Sequence, residues 1–348
     1  GEDSVYYETF LHAENWKGFD ALIYPAYYSG FSRLASFLAS LVDLESAATV
    51  ITWFGFLVLI TPILILFFTD CKYWDSLQKK IVLSCFLIFS CSSGEIWLTS
   101  TNVSFILSIG TFLILLDSNL ENKNKRNFYC IYIACAVFNG PITLIMAPFF
   151  VLRYLQTRQK PFLNYCLILF FLGLVHVLYF WVSTNAGVGS SSRFAEGRDL
   201  VRTFIFMVSS NIFFPLVGYF LAIIFRLGLD TVYMGIENSS YIALIDKIFP
   251  GSIGTGIKNI FYMLSSGSII LIGLCFAVLF FVFYKEFKRS NQEERVCFLS
   301  LFIYLSIVLT YLSLGGLGGW RYSYITGFIL LFYLYQRVSF DMEKAKMT

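Results

Sequence analysis

Charge is scarce in this chain. Only 14% of its 348 residues are Asp, Glu, Lys or Arg, and the net charge is a small +3. No run of Lys and Arg interleaved with aromatics is present, which removes the groove that a nucleic-acid partner would need. Histidine is rarer still, at two residues, and none of the eight cysteines forms a CxxC pair. Buried thiols in apolar runs are therefore expected rather than a metal centre, and no cofactor is assigned. No signal-peptide pattern and no internal repeat is visible.

What remains is apolar. Hydrophobic residues make up 57% of the chain and aromatics 19%, with 39 Phe and 22 Tyr, and the mean hydropathy is +0.71. Water cannot solvate that much apolar surface, whereas a bilayer can. The expected fold class is all-α, a polytopic transmembrane helix bundle.

Apolar runs of spanning length cover 48–69, 161–183, 203–226, 264–284, 297–314 and 321–337. Two regions are more complex. Residues 81–117 hold two shorter runs around SSGEIWLTSTN, and 127–155 hold two around the NGP sequence at 139–141. Each reads as a hairpin of short helices, whose turn must be enclosed by protein or line a wet cavity. The basic connections CKYWDSLQKK (71–80), ENKNKR (121–126), RYLQTRQK (153–160) and KEFKRSNQEER (285–295) fall together on the cytoplasmic side under the positive-inside rule. The run 203–226 must then break near Phe214 and Pro215 and return, for the parity of crossings to hold.

The opposite side receives residues 1–47, both hairpin turns, 184–202, 227–263 and GGLGGWRYS at 315–323. Domain organisation is expected as 1–47, an acidic loop ending in an interfacial helix, followed by a single membrane domain at 48–340. A further helix is expected ahead of residue 1, because the chain opens in an outer loop. In FSRLASFLASLVD, Phe31, Leu34, Leu38 and Leu41 recur at helical spacing, with Arg33, Ser36 and Ser40 off that face.

The ordered features carry a resemblance. Glu2-Asp3-Ser4, Tyr28-Ser29-Gly30 with Arg33, Gly94-Glu95 with Leu98-Thr99 and Asn102, Asn139-Gly140-Pro141 with Pro148, and Arg321-Tyr322 follow one another along the chain. In that order they resemble bacterial members of the GT-C superfamily of polytopic glycosyltransferases, with Ser4 where Gly is usual and Ser32 where Pro is usual. The resemblance implies transfer of a sugar from a polyprenyl-phosphate carrier to a lipid-linked or cell-envelope glycan such as an O-antigen, at the outer face of the bacterial cytoplasmic membrane, with inversion in most members. Such a reaction needs a carboxylate to accept the acceptor's proton and cations to hold the departing phosphate.

The resemblance assigns Asp3 and Glu2 to catalysis, with Asp20 a secondary acid. Arg33, Arg321, Tyr322, Arg193 and Arg198, with Arg202, are assigned to the donor phosphate, Arg being suited to bidentate contact. Glu95, Asn102 and Tyr28 are expected to line the site. Arg33 has a second reading, a snorkelling anchor, and His12 and His176 read as structural. A divalent metal at the acidic loop is not favoured, for want of a second acidic cluster. The alternative functions are a polysaccharide polymerase, which shares the polyprenyl substrate, and a lipid-linked glycan transporter or flippase.

Overall fold

The computed structural model describes residues 29–71, 73–89, 103–185 and 324–335, with isolated helical positions elsewhere. Every regular element among the described residues is helical; they contain no strand. The chain divides into two compact units, Gly1–Glu196 with Gly315–Thr348, and Gly197–Leu314. All the helices named below belong to the first. In the second, Lys288 lies one turn from Tyr284 with its ammonium 5.2 Å from the ring centroid.

In chain order the helices are α1 (Gly30–Ser40), α2 (Leu44–Phe68), α3 (Leu77–Phe89), α4 (Val103–Leu115), α5 (Lys123–Phe138), a 3₁₀ segment (Pro141–Met146), α6 (Ala147–Thr157) and α7 (Lys160–Asn185). A further helix, α8 (Tyr324–Tyr335), follows late in the chain. The expected spans at 48–69 and 161–183 are α2 and α7. These two are long and apolar enough to cross a membrane. Helices α3 and α4 flank residues 90–102, where the first hairpin turn is expected and which lie outside the described residues, and the apolar region 127–155 is broken at NGP into α5, the 3₁₀ segment and α6.

Their outward surfaces are apolar. Trp53 and Leu57 on α2 and Phe170, Phe171, Val177 and Trp181 on α7 are all exposed, a continuous kind of surface that soluble monomers rarely show. Inside, α4 is buried along its whole length. At 13 residues it is about 20 Å long, short of a bilayer's hydrocarbon thickness of roughly 30 Å. It is held by polar and close steric contacts. Ser108 donates to the Ser104 carbonyl at 2.7 Å and sits 2.8 Å from the Thr143 hydroxyl. Gly110 lets the Tyr132 ring in: a Cβ there would lie 2.0 Å from the Tyr132 hydroxyl.

Pro62 lies inside α2 and cannot donate to the Val58 carbonyl four residues back. The Thr61 hydroxyl takes that carbonyl instead, at 2.7 Å. The end of α2 is closed by a cation, since Lys80 donates to the Phe67 carbonyl at 2.9 Å, where helix-end carbonyls favour positive charge. Likewise, the Tyr324 hydroxyl donates to Leu87, in the last turn of α3, at 2.7 Å. Phe112, Phe328, Phe332 and Trp74 stack edge to face and pin α8 to α4 and to the loop after α2.

The three basic connections that fall within the described residues share one end of the bundle. Ser118 N–H donates to the Asp70 carbonyl at 2.8 Å, Lys125 reaches Asp70, and residues 118–121 line a groove with Gln159 and Pro161. The NGP turn, the start of α1 and the last turns of α7 meet at the other end. Among the described residues the basic connections and the NGP turn therefore lie at opposite ends of the bundle.

Candidate functional site

At that second end, α1 starts where Gly30 meets α5. A Cβ on Gly30 would lie 2.4 Å from the Phe138 ring, so a larger residue would push the helix away. The close approach brings the Phe31 N–H onto the Asn139 Oδ1. Asn139 is held in turn by its Nδ2, which donates to the Cys135 carbonyl at 2.6 Å. The following Gly140 adopts φ 156° and ψ 157°, a region essentially restricted to glycine. Pro141 then starts the 3₁₀ segment at a position where its missing N–H costs nothing. Asn139, Gly140 and Pro141 thus act as a helix break that also anchors α1.

The helix α1 is amphipathic as expected, but its faces are used in the opposite sense from a water-soluble helix. Gly30, Ser32, Arg33, Ala35, Ser36 and Ala39 are buried, while Leu34, Leu38 and Leu41 are exposed. Small residues permit close packing against α2, and the leucines point away from protein. Ser29 and Ser32 share a hydrogen bond of 2.6 Å between their hydroxyls.

Arg33 is the one candidate phosphate ligand among the described residues. It is 1% exposed, and its Nη2 donates to the Tyr179 hydroxyl at 3.2 Å. A snorkelling side chain would carry its guanidinium outward; this one is directed into the bundle. One turn back from Tyr179 on α7 lies His176, also buried. Its Nε2 bonds the Val137 carbonyl, an acceptor without a proton, so Nε2 carries the hydrogen and Nδ1 is left as an acceptor. Neither that Nδ1 nor the Ser36 hydroxyl has a hydrogen-bond partner among the described residues. The reading of His176 as a satisfied structural histidine therefore holds for one ring nitrogen only.

The end near Arg33 consequently holds a buried cation, a phenol, an imidazole acceptor and serine hydroxyls within a few turns. Such a set can bind an anion and orient hydroxyls. Tyr179 was not legible as a partner of Arg33, since 146 residues separate them and a tyrosine in an apolar run carries no signal of its own. Asp3, Glu2, Asp20, Tyr28, Glu95, Asn102, Arg193, Arg198, Arg202, Arg321, Tyr322 and His12 lie outside the described residues. No group of three or more metal-ligating side chains occurs among the described residues.

No protein-family model, curated protein or solved structure matches the chain.

Proposed function

We propose that the chain is a membrane-embedded glycosyltransferase of GT-C type, which moves a sugar from a polyprenyl-phosphate carrier to a lipid-linked or cell-envelope glycan at the outer face of the bacterial cytoplasmic membrane. The observation that carries this reading is the buried Arg33, held by Tyr179 at the end of the bundle opposite the basic loops. A desolvated guanidinium is costly in an apolar bundle unless it serves an anion or a fixed partner. The outward apolar faces of α2 and α7 support the membrane setting, with Trp53 and Trp181 in the halves nearer the Arg33 end, where interfacial aromatics are common.

In the proposed step the acceptor oxygen bonds to the anomeric carbon as that carbon's bond to the phosphate oxygen breaks. The acceptor's proton passes to Asp3, with Glu2 alongside. Arg33, Arg321 and Tyr322, with Arg193 and Arg198, hold the phosphate as its charge grows, and polyprenyl phosphate leaves. Glu95, Asn102 and Tyr28 line the space around the sugar.

The test is reconstitution of the full chain in liposomes with a radiolabelled polyprenyl-phosphate sugar and lipid-linked glycan. Transfer with release of polyprenyl phosphate is expected, and Asp3→Asn should lower turnover by about 10²–10⁴-fold, with donor binding nearly unchanged. Arg33→Ala should weaken donor binding, with Lys restoring it only in part because an ammonium lacks the fork. Undiminished turnover in both Asp3→Asn and Glu2→Gln would remove the catalytic assignment. End-to-end joining of diphosphate-linked oligosaccharides would replace the transferase with a polymerase, and movement of intact lipid-linked glycan without transfer would replace it with a flippase.

A further inference from the structure

A short turn, Leu41 to Asp43, links α1 to α2. Phe31 lies ten residues before Leu41 and Phe54 ten residues after Leu44, which is about 15 Å along each helix. Their rings meet edge to face, with centroids 5.6 Å apart. A helix at right angles to α2 would hold the two backbones roughly 20 Å apart at these positions, farther than two phenylalanine side chains reach. So α1 stands beside α2 and runs antiparallel to it. The Phe31 N–H also bonds Asn139, at the end of α5. Counted from the basic end, Phe54 is roughly 21 Å along α2 and Asn139 roughly 24 Å along α5, the same level to within one helical turn. The start of α1 is thus held well inside the length of α2, beneath the turn that joins them.

The faces of α1 point the same way. A helix lying flat on a bilayer keeps its polar face toward water and sinks its apolar face. Here Ser32, Arg33 and Ser36 are enclosed by protein, whereas Leu34, Leu38 and Leu41 are exposed, with Val42 and Leu44 exposed beyond them. On the neighbouring helix, Trp53, Phe56 and Leu57 are exposed as well. Polar residues inward and apolar residues outward is the arrangement of a helix surrounded by hydrocarbon. The acids fall at the turn instead: Asp43 and Glu45 are exposed there and mark the level of water.

From this we infer that α1 is a re-entrant half-helix, embedded upright in the leaflet at the Arg33 end, with its Leu34, Leu38 and Leu41 stripe docked on acyl chains. Its N-terminal end lies at hydrocarbon depth, where Asn139 satisfies the backbone. Arg33, eight residues from Leu41, then stands about 12 Å below the turn, under the lipid headgroups rather than among them. A lipid phosphate that meets Arg33 is drawn below its resting depth. The inference rests on the membrane setting of the proposed function, though not on the transferase chemistry.

Nitroxide labels are placed one at a time through Leu34→Cys, Leu38→Cys and Leu41→Cys in a full chain whose native cysteines are replaced, and each protein is reconstituted in phosphatidylcholine liposomes. Leu44→Cys and Leu57→Cys on α2 supply the depth scale and show that the bundle is assembled. Power saturation in electron paramagnetic resonance then compares collisions with oxygen, which concentrates in hydrocarbon, against those with a water-soluble nickel chelate. The label at Leu34 should sit about 10 Å deeper than that at Leu41, with Leu38 between them and Leu41 level with Leu44. Equal depths at the three α1 positions mean a flat interfacial helix and overturn the inference, whatever the transfer assay shows. Labels shielded from both reagents reveal protein over the stripe and overturn the lipid contact. Ready access of the nickel chelate to every position, Leu57 included, overturns the membrane setting, and the half-helix falls with it. A depth gradient on α1 in a chain that transfers no sugar removes the transferase and leaves the half-helix standing.

Discussion

Two buried polar clusters at opposite ends of the bundle, around Asp117 and around Arg33, are satisfied to different degrees. At the basic end Asp117 is completely buried, yet each direction around its carboxylate is filled. Lys125 approaches at 2.7 Å, the Tyr129 hydroxyl donates at 2.7 Å, and the backbone N–H groups of Asn119 and Asp70 donate at 3.0 and 3.2 Å. Lys125 also reaches Asp70 at 3.0 Å, and Ser118 bonds the Asp70 carbonyl through both its N–H and its hydroxyl. The loops after α2 and α4 are thereby locked together. At the Arg33 end the contacts fix backbone, through Phe31 and Asn139, while the His176 Nδ1 and the Ser36 hydroxyl are left without partners among the described residues. A closed network of that kind holds loops in place. Polar groups with spare capacity are what a substrate can use.

The largest expected effect tests the closed end. Asp117→Leu leaves a mostly buried Lys125 and the Tyr129 hydroxyl without their main acceptor, and should cost about 3–5 kcal/mol in a reversible detergent unfolding titration. Adding Lys125→Met should recover more than half of that, because an apolar pair no longer strands a charge. A loss in Asp117→Leu comparable to an ordinary surface change would show that the network does not hold the loops.

An intermediate effect is expected at the open end. Gly30→Ala forces the Phe138 ring, which is 43% exposed, to swing aside, and should destabilise by about 1–3 kcal/mol. Phe138→Leu in the same chain should relieve part of this. The change should also reduce donor binding, since α1 carries Arg33. Stability lost without any change in donor binding would separate the packing of α1 from the site.

The smallest effect sharpens the contrast within the closed end. Asp70 bonds the same lysine as Asp117, but its side chain is 59% exposed. Asp70→Asn should therefore cost less than about 1 kcal/mol, and less still in high salt. A cost equal to that of Asp117→Leu would mean that position in the network, rather than burial, sets the energy.

Helical class, the break at NGP and the common end of the three described basic connections were legible in the sequence. They depend on local rules: apolar runs, Gly and Pro at turns, and Lys and Arg between them. Asn122 illustrates how local the information is, since its side chain caps α5 through the N–H groups of Asn124 and Lys125, as its place just before the helix predicts. Asp117 was less legible. Its signal is a lone acid closing a wholly apolar run just ahead of ENKNKR, and that position points to a paired charge without naming the partner.

The sequence by itself determined an apolar, helical chain with runs of spanning length, two of which are α2 and α7 among the described residues, with a break at NGP and with Arg33 set among serines on one stripe of α1. Only the tertiary structure decided which stripe turns inward. Leucines gain almost the same from lipid as from protein, so the pattern cannot choose between them; close packing of Gly30, Ser32 and Ala35 can, because small residues let backbones approach and leave room for a guanidinium. The same packing brings Tyr179 to Arg33 and Lys125 to both Asp70 and Asp117. Those pairings depend on how the helices are stacked, which no local run of residues encodes.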